Sequence, residues 1–372
     1  MLALFVLIAI SHISCALPSN ETKRTESLII LDTGVGHRST PVTRWRTSIR
    51  SLTNRGANST VLAQFGPESN ATFLQEPING YSLAYSPSTS SLFSATGQGI
   101  VRTSLDGTES KVILTDHDGG MGQIMSLFVA EKDKKIYFGT LYEGLIKKAN
   151  FDGTDIEVVR NVSQGLNYGI APSYAPACFY PNGIAVDEER GFLYWSAAKG
   201  DNDGSIRRAP LQLSDQDHTQ ILVTGINMPG QIRIVGDSLL WAERGRWNNL
   251  PTAIKYLDRN LNRIPAPLPS STAPALLALP TGTLVSSAQN KLFFEKDYTG
   301  EQQMLSIQSF VMYHGDVEST LWFVVQSSGR TVFGKLVEVH WRGSGDSRGP
   351  AFEVLNSNTT DIGVPVGLEY VR

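Results

Sequence analysis

Residues with chemically useful side chains are concentrated in a few loops of this chain. Tyr142 stands beside Glu143, and Arg246 precedes Trp247. Tyrosine and arginine can donate hydrogen bonds to a developing oxyanion, and a carboxylate can move a proton. Each such residue taken alone is more often a surface or packing residue than a catalyst. Their residue types and their pairing therefore make them candidate catalytic residues. Whether they can act together depends on the strands and loops that position them.

A second candidate region is the nineteen-residue connection from Gln164 to Asn182. It is apolar and stiffened by three prolines, at positions 172, 176 and 181, whereas a solvated loop would be polar. This composition predicts the wall or lid of a cavity. The alternative is that the segment packs onto a neighbouring element. Its aromatic residues are Tyr168, Tyr174, Phe179 and Tyr180.

Several enzyme classes lack their signatures. The chain has no glycine-rich phosphate loop. Asp116-His-Asp118 offers half of a metal site, but the six histidines form no second cluster. Cys178 has no nearby histidine to activate it, so a small buried hydrophobe is the simpler interpretation. The sequence therefore predicts neither a metal nor a cofactor.

The elements that carry these loops are short β-strands. Ile184 and Val186 alternate inward, residues 187–191 have turn chemistry, and Phe192 to Trp195 form the next strand. An eight-residue step joins the last inner-strand residue to an aromatic residue in three copies: Tyr85 to Phe93, Val129 to Tyr137 and Val186 to Tyr194. Four short strands recurring every 40 to 60 residues predict a β-propeller.

The repeat predicts six blades with an insertion, and seven blades stay open. Residues 266–307 do not follow the pattern, although Leu292-Phe-Phe294 could form a strand. The chain ends on an inner-strand pattern, Val366 to Val371, and Leu28 to Leu31 has the pattern of a second strand. We expect the C-terminal strand to join the first blade and close the ring, which would remove an exposed edge.

Three segments resemble a known family. Leu105-Asp-Gly107, Phe151-Asp-Gly153 and Tyr194-Trp-Ser196 are similar to the YWTD (class B) repeats of the LDL-receptor family. The aspartate of that motif is replaced by Ala197 in one blade and by Thr140 in another. The resemblance implies an all-β, six-bladed propeller of the YWTD/TolB-like class. It also implies an extracellular binding module for a protein or a glycan.

The N-terminal sixteen residues are typical of a signal peptide, with an apolar run from Leu2 to Ile10 and small residues Ser14 and Ala16 before the cleavage point. We therefore expect a secreted protein with one propeller domain over residues 17–372. A net charge of −3 gives no reason to expect nucleic acid as a partner, and no later run is apolar enough to span a membrane. The oligomeric state stays open. The predicted N-glycosylation sites are Asn20, Asn58, Asn70, Asn161 and Asn358.

Secretion, length, blade type and an apolar mouth together resemble the hetero-Diels–Alderases of fungal tropolone–sesquiterpenoid pathways. That resemblance implies a cofactor-free pericyclase that joins a tropolone o-quinone methide to a humulene-type terpene. Hydrophobic small molecules would be its substrates. Tyr142, Glu143 and Arg246 would be its catalytic residues. The substrate-binding candidates are Tyr168, Tyr174, Phe179, Tyr180, Asn182, Gln231 and Trp247.

A metal-dependent lactonase is the third possibility. Asn182-Gly resembles the metal-binding asparagine of lactonase-type propellers. The next blade has Pro229-Gly-Gln231 where such an enzyme needs a partnering acid, which disfavours this function.

Overall fold

The structure is a computed structural model of the whole chain. It describes residues 26–33, 47–53, 58–65, 80–96, 99–115, 123–141, 143–162, 180–198, 204–212, 218–245, 251–257, 260–265, 275–296, 300–314, 318–327, 334–342, 351–355 and 365–371. The predicted signal peptide lies outside these residues. Within them, no helix has the length and hydropathy that crossing a bilayer demands.

The described residues form a six-bladed β-propeller, as the repeat predicts. Each blade has four principal antiparallel strands, and the inner strands contact one another in a closed cycle. From the innermost strand outward, blade 1 contains β26 (Pro365–Val371), β1 (Ser27–Asp32), β2 (Thr47–Thr53) and β3 (Asn58–Phe65). Blade 2 contains β4 (Gly80–Ser86), β5 (Ser91–Thr96), β6 (Gly99–Ser104) and β7 (Ser110–Thr115). Blade 3 contains β8 (Ile124–Ala130), β9 (Lys135–Thr140), β10 (Leu145–Asn150) and β11 (Glu157–Asn161).

The other three blades follow the same order. Blade 4 contains β12 (Tyr180–Asp187), β13 (Phe192–Ala198), β14 (Gly204–Pro210) and β15 (Gln220–Ile226). Blade 5 contains β16 (Pro229–Val235), β17 (Ser238–Glu243), β18 (Ala253–Leu257) and β20 (Thr281–Ser286). Blade 6 contains β22 (Gln302–His314), β23 (Glu318–Ser327), β24 (Lys335–Arg342) and β25 (Ala351–Val354).

The hydrophobic core lies between the blades. Six buried clusters each combine side chains from two neighbouring blades. Tyr194 and Trp195 follow one another in β13 and enter different clusters, one on each face of blade 4. Because successive side chains of a strand point to opposite faces, a blade covered on both faces needs consecutive apolar residues. This requirement explains the aromatic pair in the repeat.

The first blade is built from both ends of the chain. The C-terminal strand β26 pairs antiparallel with β1, and Leu368 lies opposite Ile30. β26 is also in contact with β22 of blade 6 and β4 of blade 2, so the C-terminal strand completes the ring of blades.

The segment that did not follow the repeat supplies extra strands. Between β18 and β20 the chain returns to blade 4, where β19 (Ala275–Leu276) pairs with the edge of β15 in parallel. Residues Lys291–Phe293 form a 3₁₀ turn, and β21 (Phe294–Lys296) then pairs with the start of β22. The expected strand at 292–294 is therefore mostly a turn, and the insertion adds no seventh blade.

Candidate functional site

All six inner strands contain a β-bulge, which lies within the first three residues of five strands and in the middle of β22. The pairing between each inner strand and its second strand shifts there by one residue. A bulge re-aims a side chain and is common beside functional sites. The bulged residues, from blade 1 to blade 6, are Val366, Tyr81, Met125, Asn182, Gly230 and Gln308.

These bulges surround a cavity of about 400 Å³ along the propeller axis. Five of the six bulged side chains line it, and blade 5 has glycine at this position. Arg244 takes the vacant place, because its Nε lies only 3.1 Å from where a Cβ on Gly230 would be. Arg244 also lines the cavity. We call the six side chains the axial ring: Val366, Tyr81, Met125, Asn182, Arg244 and Gln308.

The residue after each bulge joins its blade to the next blade. Ser82 Oγ accepts a hydrogen bond from the backbone N–H of Leu127 in blade 3 at 3.2 Å. Gln231 Oε1 accepts one from the N–H of Phe310 in blade 6 at 2.8 Å. Ser309 Oγ accepts one from the N–H of Leu368 in blade 1 at 3.0 Å. The same geometry therefore recurs at three blade boundaries.

Asn182 connects blade 4 to blade 5 through its carboxamide. Its Nδ2 donates to the carbonyl oxygen of Pro229 at 2.8 Å. Its Oδ1 is buried and has no hydrogen-bond partner within the residues that the structure describes. The side chain is 3% exposed, so this acceptor is shielded from bulk water. A neighbouring bond, from Ser196 Oγ to the carbonyl oxygen of Gly230 at 2.8 Å, holds the same dipeptide.

A partly buried ion pair links blades 5, 6 and 1 beside the ring. Arg233 on β16 donates to Glu369 Oε1 at 2.7 Å and to Oε2 at 3.2 Å. It also donates to the carbonyl oxygens of Leu368 and Phe310. Burial raises the pKa of the Glu369 carboxyl, while the charge and hydrogen bonds of Arg233 act in the opposite direction. Both side chains line the cavity, but this pair already satisfies itself.

The end of the cavity away from the axial ring is lined by charged side chains that are already paired with other groups of the protein. The Glu188 carboxylate accepts hydrogen bonds from three backbone N–H groups of blade 3, those of residues 131, 132 and 133, at 2.9 to 3.1 Å. Arg190 forms an ion pair with Asp187 at 2.9 Å. These groups tie blade 4 to blade 3 and stabilise its own turn. The axial ring is therefore the end with an unoccupied hydrogen-bonding atom.

The predicted site residues fall into two groups. Asn182 and Gln231 both lie on the cavity wall, and Tyr180 begins β12 as a buried residue outside the lining. Glu143 is half-buried in the turn before β10, 2.8 Å from Lys147, and it does not line the cavity. The remaining predicted site residues lie outside the described residues: Tyr142, Tyr168, Tyr174, Phe179, Arg246 and Trp247.

The predicted loop from 164 to 182 ends earlier than expected. Residues 180–182 belong to strand β12, because Tyr180 and Pro181 pair with β13. Residues 164–179 lie outside the described part of the chain. Two predicted glycosylation sites are described: Asn58 is exposed at the start of β3, and Asn161 is half-buried at the end of β11. The other three predicted glycosylation sites, at positions 20, 70 and 358, lie outside the described residues.

Sequence reasoning missed five members of the axial ring: Tyr81, Met125, Arg244, Gln308 and Val366. A signal for some of them exists in the repeat itself. Tyr81, Met125 and Asn182 each lie four residues before the last inner-strand residue of their copies. The same offset places Gln308 before Met312. Aligning the copies marks these residues as equivalent positions, although it does not show that they meet at the axis.

No set of three or more histidine, cysteine, aspartate or glutamate side chains is placed to hold a metal in the described ranges. Gly230 and Gln231 of blade 5 lie against Gly183, the residue after Asn182, and Asn182 Nδ2 donates to the carbonyl oxygen of Pro229. Neither Gly230 nor Gln231 supplies the carboxylate that a lactonase-type metal site would need here.

Comparisons with known proteins support the fold. No protein-family model matches the chain. A stretch of 170 residues, 44% of this chain, is 29% identical to low-density lipoprotein receptor-related protein 1 of Pyricularia oryzae. The match covers 54% of that protein, so the chain spans about half the length of this curated relative.

Solved structures give the same architecture. A chain from the crystal structure of the nidogen/laminin complex has a TM-score of 0.56 at 13% identity, covering 93% of this chain and 98% of that one. The structure of a putative TolB from Agrobacterium tumefaciens matches over 94% of this chain and 99% of that one, with a TM-score of 0.49 and 10% identity. The chain is thus a six-bladed propeller that resembles those of the YWTD type.

Proposed function

We propose that this protein is a secreted propeller that binds a small organic molecule in its axial cavity. The observation that carries the proposal is the axial ring, in which five bulges and Arg244 direct side chains towards one cavity. The likeness to a low-density lipoprotein receptor-related protein supports a binding module of extracellular type. A glycan or protein partner is the alternative that the same likeness allows.

The size and lining of the cavity favour a small molecule. Ligand sites commonly enclose about 300–1,000 Å³, with mostly apolar walls and a few oriented polar groups. The cavity of about 400 Å³ has Leu83, Ile184 and Ile232 in its wall, beside the amides of Asn182 and Gln308. A flat protein-binding face would not need polar side chains directed towards the axis.

A variant in which a larger side chain fills the cavity tests this proposal. We expect the fluorescent probe anilinonaphthalene sulfonate to bind wild-type protein, and Met125→Trp to weaken binding about tenfold or more, a loss of about 1.4 kcal/mol, because the larger side chain fills the ring. Val158→Trp is the matched control, since Val158 is 58% exposed on the outer strand of the same blade. Titration of probe fluorescence measures both. Unchanged affinity in Met125→Trp would place the probe elsewhere and contradict the proposal.

Catalysis in the same cavity is the second candidate function. A hetero-Diels–Alder reaction joins an o-quinone methide to an alkene, forming one C–C and one C–O bond without losing atoms. It needs two partners held in a reactive orientation, which can supply up to about 7–11 kcal/mol. The axial cavity favours this idea, because substrates that fill it displace water, and exclusion of water protects a quinone methide from hydration. Hydrogen-bond donors such as Arg244 could polarise its carbonyl oxygen.

The catalytic candidate has a direct assay. Purified protein is incubated with a hydroxymethyl-tropolone and a humulene alcohol, and the dihydropyran adduct is measured against the spontaneous reaction. We expect adduct formation above background, with Met125→Trp reducing it and Val158→Trp leaving it unchanged. Equal adduct formation with and without protein would end this second candidate and leave only the binding function.

A further inference from the structure

Asn182 presents a hydrogen-bond acceptor that the described protein leaves unused. The carbonyl oxygen of Pro229 can only accept, so the amino side of the carboxamide must face it at 2.8 Å. Oδ1 is therefore the atom that faces away from Pro229, and it is buried without a partner in the described ranges. A buried acceptor without a partner destabilises the folded state. A ligand that donates a hydrogen bond to this oxygen removes that destabilisation.

Arg244 presents the complementary group on the other side of the same dipeptide. Its side chain packs over Gly230, with Nε 3.1 Å and Cγ 3.7 Å from the position of a Cβ there. Any larger residue at 230 would compete with this arginine for its place in the axial ring. A guanidinium carries only donors, arranged in a plane that suits carbonyl and carboxylate oxygens.

The two groups lie on adjacent blades and flank Pro229-Gly230. A molecule that faces this dipeptide meets an acceptor from blade 4 and a cationic donor from blade 5. We infer that the ligand of the axial cavity carries a hydroxyl group next to a carbonyl oxygen. Asn182 Oδ1 accepts from the hydroxyl, and the Arg244 guanidinium donates to the carbonyl. This inference rests on the proposed binding function and specifies its ligand class.

Two flavones provide matched probes. 3-Hydroxyflavone has a hydroxyl beside a ring carbonyl on an apolar body, and 3-methoxyflavone lacks only the donor hydrogen. In free 3-hydroxyflavone the hydroxyl bonds to its own carbonyl, and proton transfer in the excited state produces a long-wavelength emission band. A hydrogen bond from the hydroxyl to Asn182 interrupts this transfer, so the band reports the contact itself.

We expect wild-type protein to bind 3-hydroxyflavone with loss of the long-wavelength band. It should bind 3-methoxyflavone about tenfold more weakly, because the buried acceptor then stays unsatisfied. Asn182→Leu should remove the difference between the probes and restore the band. Arg244→Met should weaken both probes, since both contain the carbonyl.

Ser196→Ala is the control for a general loosening of the wall. It deletes the other hydrogen bond to Gly230 and leaves both proposed ligand contacts in place. It should preserve the preference for 3-hydroxyflavone. Equal affinity of wild-type protein for the two flavones would overturn the inferred ligand class and leave the cavity as a binding site. Binding of neither flavone would overturn the cavity proposal as well.

Discussion

At the scale of single residues, two glycines allow adjacent inner strands to approach closely. A Cβ on Gly183 would lie 2.3 Å from the carbonyl oxygen of Gly230 and 2.8 Å from the backbone nitrogen of Ile232. Both obstacles are backbone atoms, so no rotamer change can relieve them. Gly230 in turn leaves the space that Arg244 occupies. A missing side chain therefore shapes the site as much as those present.

Gly183→Ala should destabilise the protein by about 2–3 kcal/mol, because the added methyl group forces blades 4 and 5 apart. Urea unfolding followed by tryptophan fluorescence measures the loss. The control is Gly191→Asn in the turn after β12, where φ is +70° and no atom lies within 4 Å. Since asparagine tolerates this conformation, its cost should stay below about 1 kcal/mol. Equal costs for the two variants would contradict the steric explanation.

At the scale of elements, the two Asp-Gly turns explain part of the repeat. Gly107 has a φ of +74°, and a Cβ there would lie 2.5 Å from the carbonyl oxygen of Leu62 in blade 1. Gly153 has a φ of +89°, and a Cβ there would lie 1.9 Å from the carbonyl oxygen of Ile113 in blade 2. Each turn therefore rests on the outer strand of the preceding blade. Glycine satisfies both the conformation and the contact.

The aspartate of the first turn, Asp106, should make the stability of the folded protein depend on pH in the acidic range. Asp106 Oδ1 accepts from Ser104 Oγ at 2.7 Å, and from the backbone N–H and the hydroxyl of Thr108 at 3.0 and 2.8 Å. These hydrogen bonds lower the pKa of Asp106 from its ordinary value of 3.8 to about 2. The charged form is favoured by folding, so its contribution is complete above the unfolded value and is lost as pH falls towards 2.

Asp106→Asn separates the charge from the shape of this turn. Its urea midpoint should lie below that of wild type at neutral pH, and the gap should close as the pH approaches 2. Asp155→Asn is a useful comparison, because the pKa of Asp155 is lowered chiefly by its hydrogen bond and charge interaction with Lys135. Added salt should weaken that ion pair and have less effect on the turn of Asp106. A gap for Asp106→Asn that persists at pH 2 would argue against the charged hydrogen bonds as its cause.

At the scale of the whole molecule, an ion pair near the axis reinforces the non-covalent closure of the ring. Among the described residues, the pairing of β26 with β1 joins the two ends of the chain. Arg233 of blade 5 reaches across blade 6 to Glu369 and Leu368 of β26. It thereby links three blades beside the axial ring. We expect this ion pair to hold the C-terminal strand in register.

Arg233→Met should destabilise the protein by about 3 kcal/mol, because it leaves the Glu369 carboxylate buried without its partner. The double variant Arg233→Met with Glu369→Leu should recover part of this loss. A double-mutant cycle from urea unfolding should give a coupling energy of about 1–3 kcal/mol. Coupling close to zero would mean that the pair does not act as a closing contact.

Much of the architecture was predictable because blade repetition is a local property. Consecutive apolar residues such as Tyr194 and Trp195 indicate a strand covered on both faces, and the Asp-Gly turns indicate the hairpins between strands. The insertion was less predictable, since β19 pairs with a strand about fifty residues earlier in the chain. Short strands of this kind depend on a distant edge rather than on their own residues.

The amino-acid sequence by itself determined the repeated four-stranded unit, the strand patterns and the inner-strand character of the last residues, because apolar alternation and turn chemistry act over a few neighbours. Only the tertiary structure decided between six and seven blades and which side chains meet at the axis. A bulge moves a residue across the pleat without changing its type, and five such side chains and Arg244 converge only when the ring closes. The place of Arg244 over Gly230 follows from that convergence, since the arginine lies fourteen residues away in sequence and meets the glycine through the folded blade.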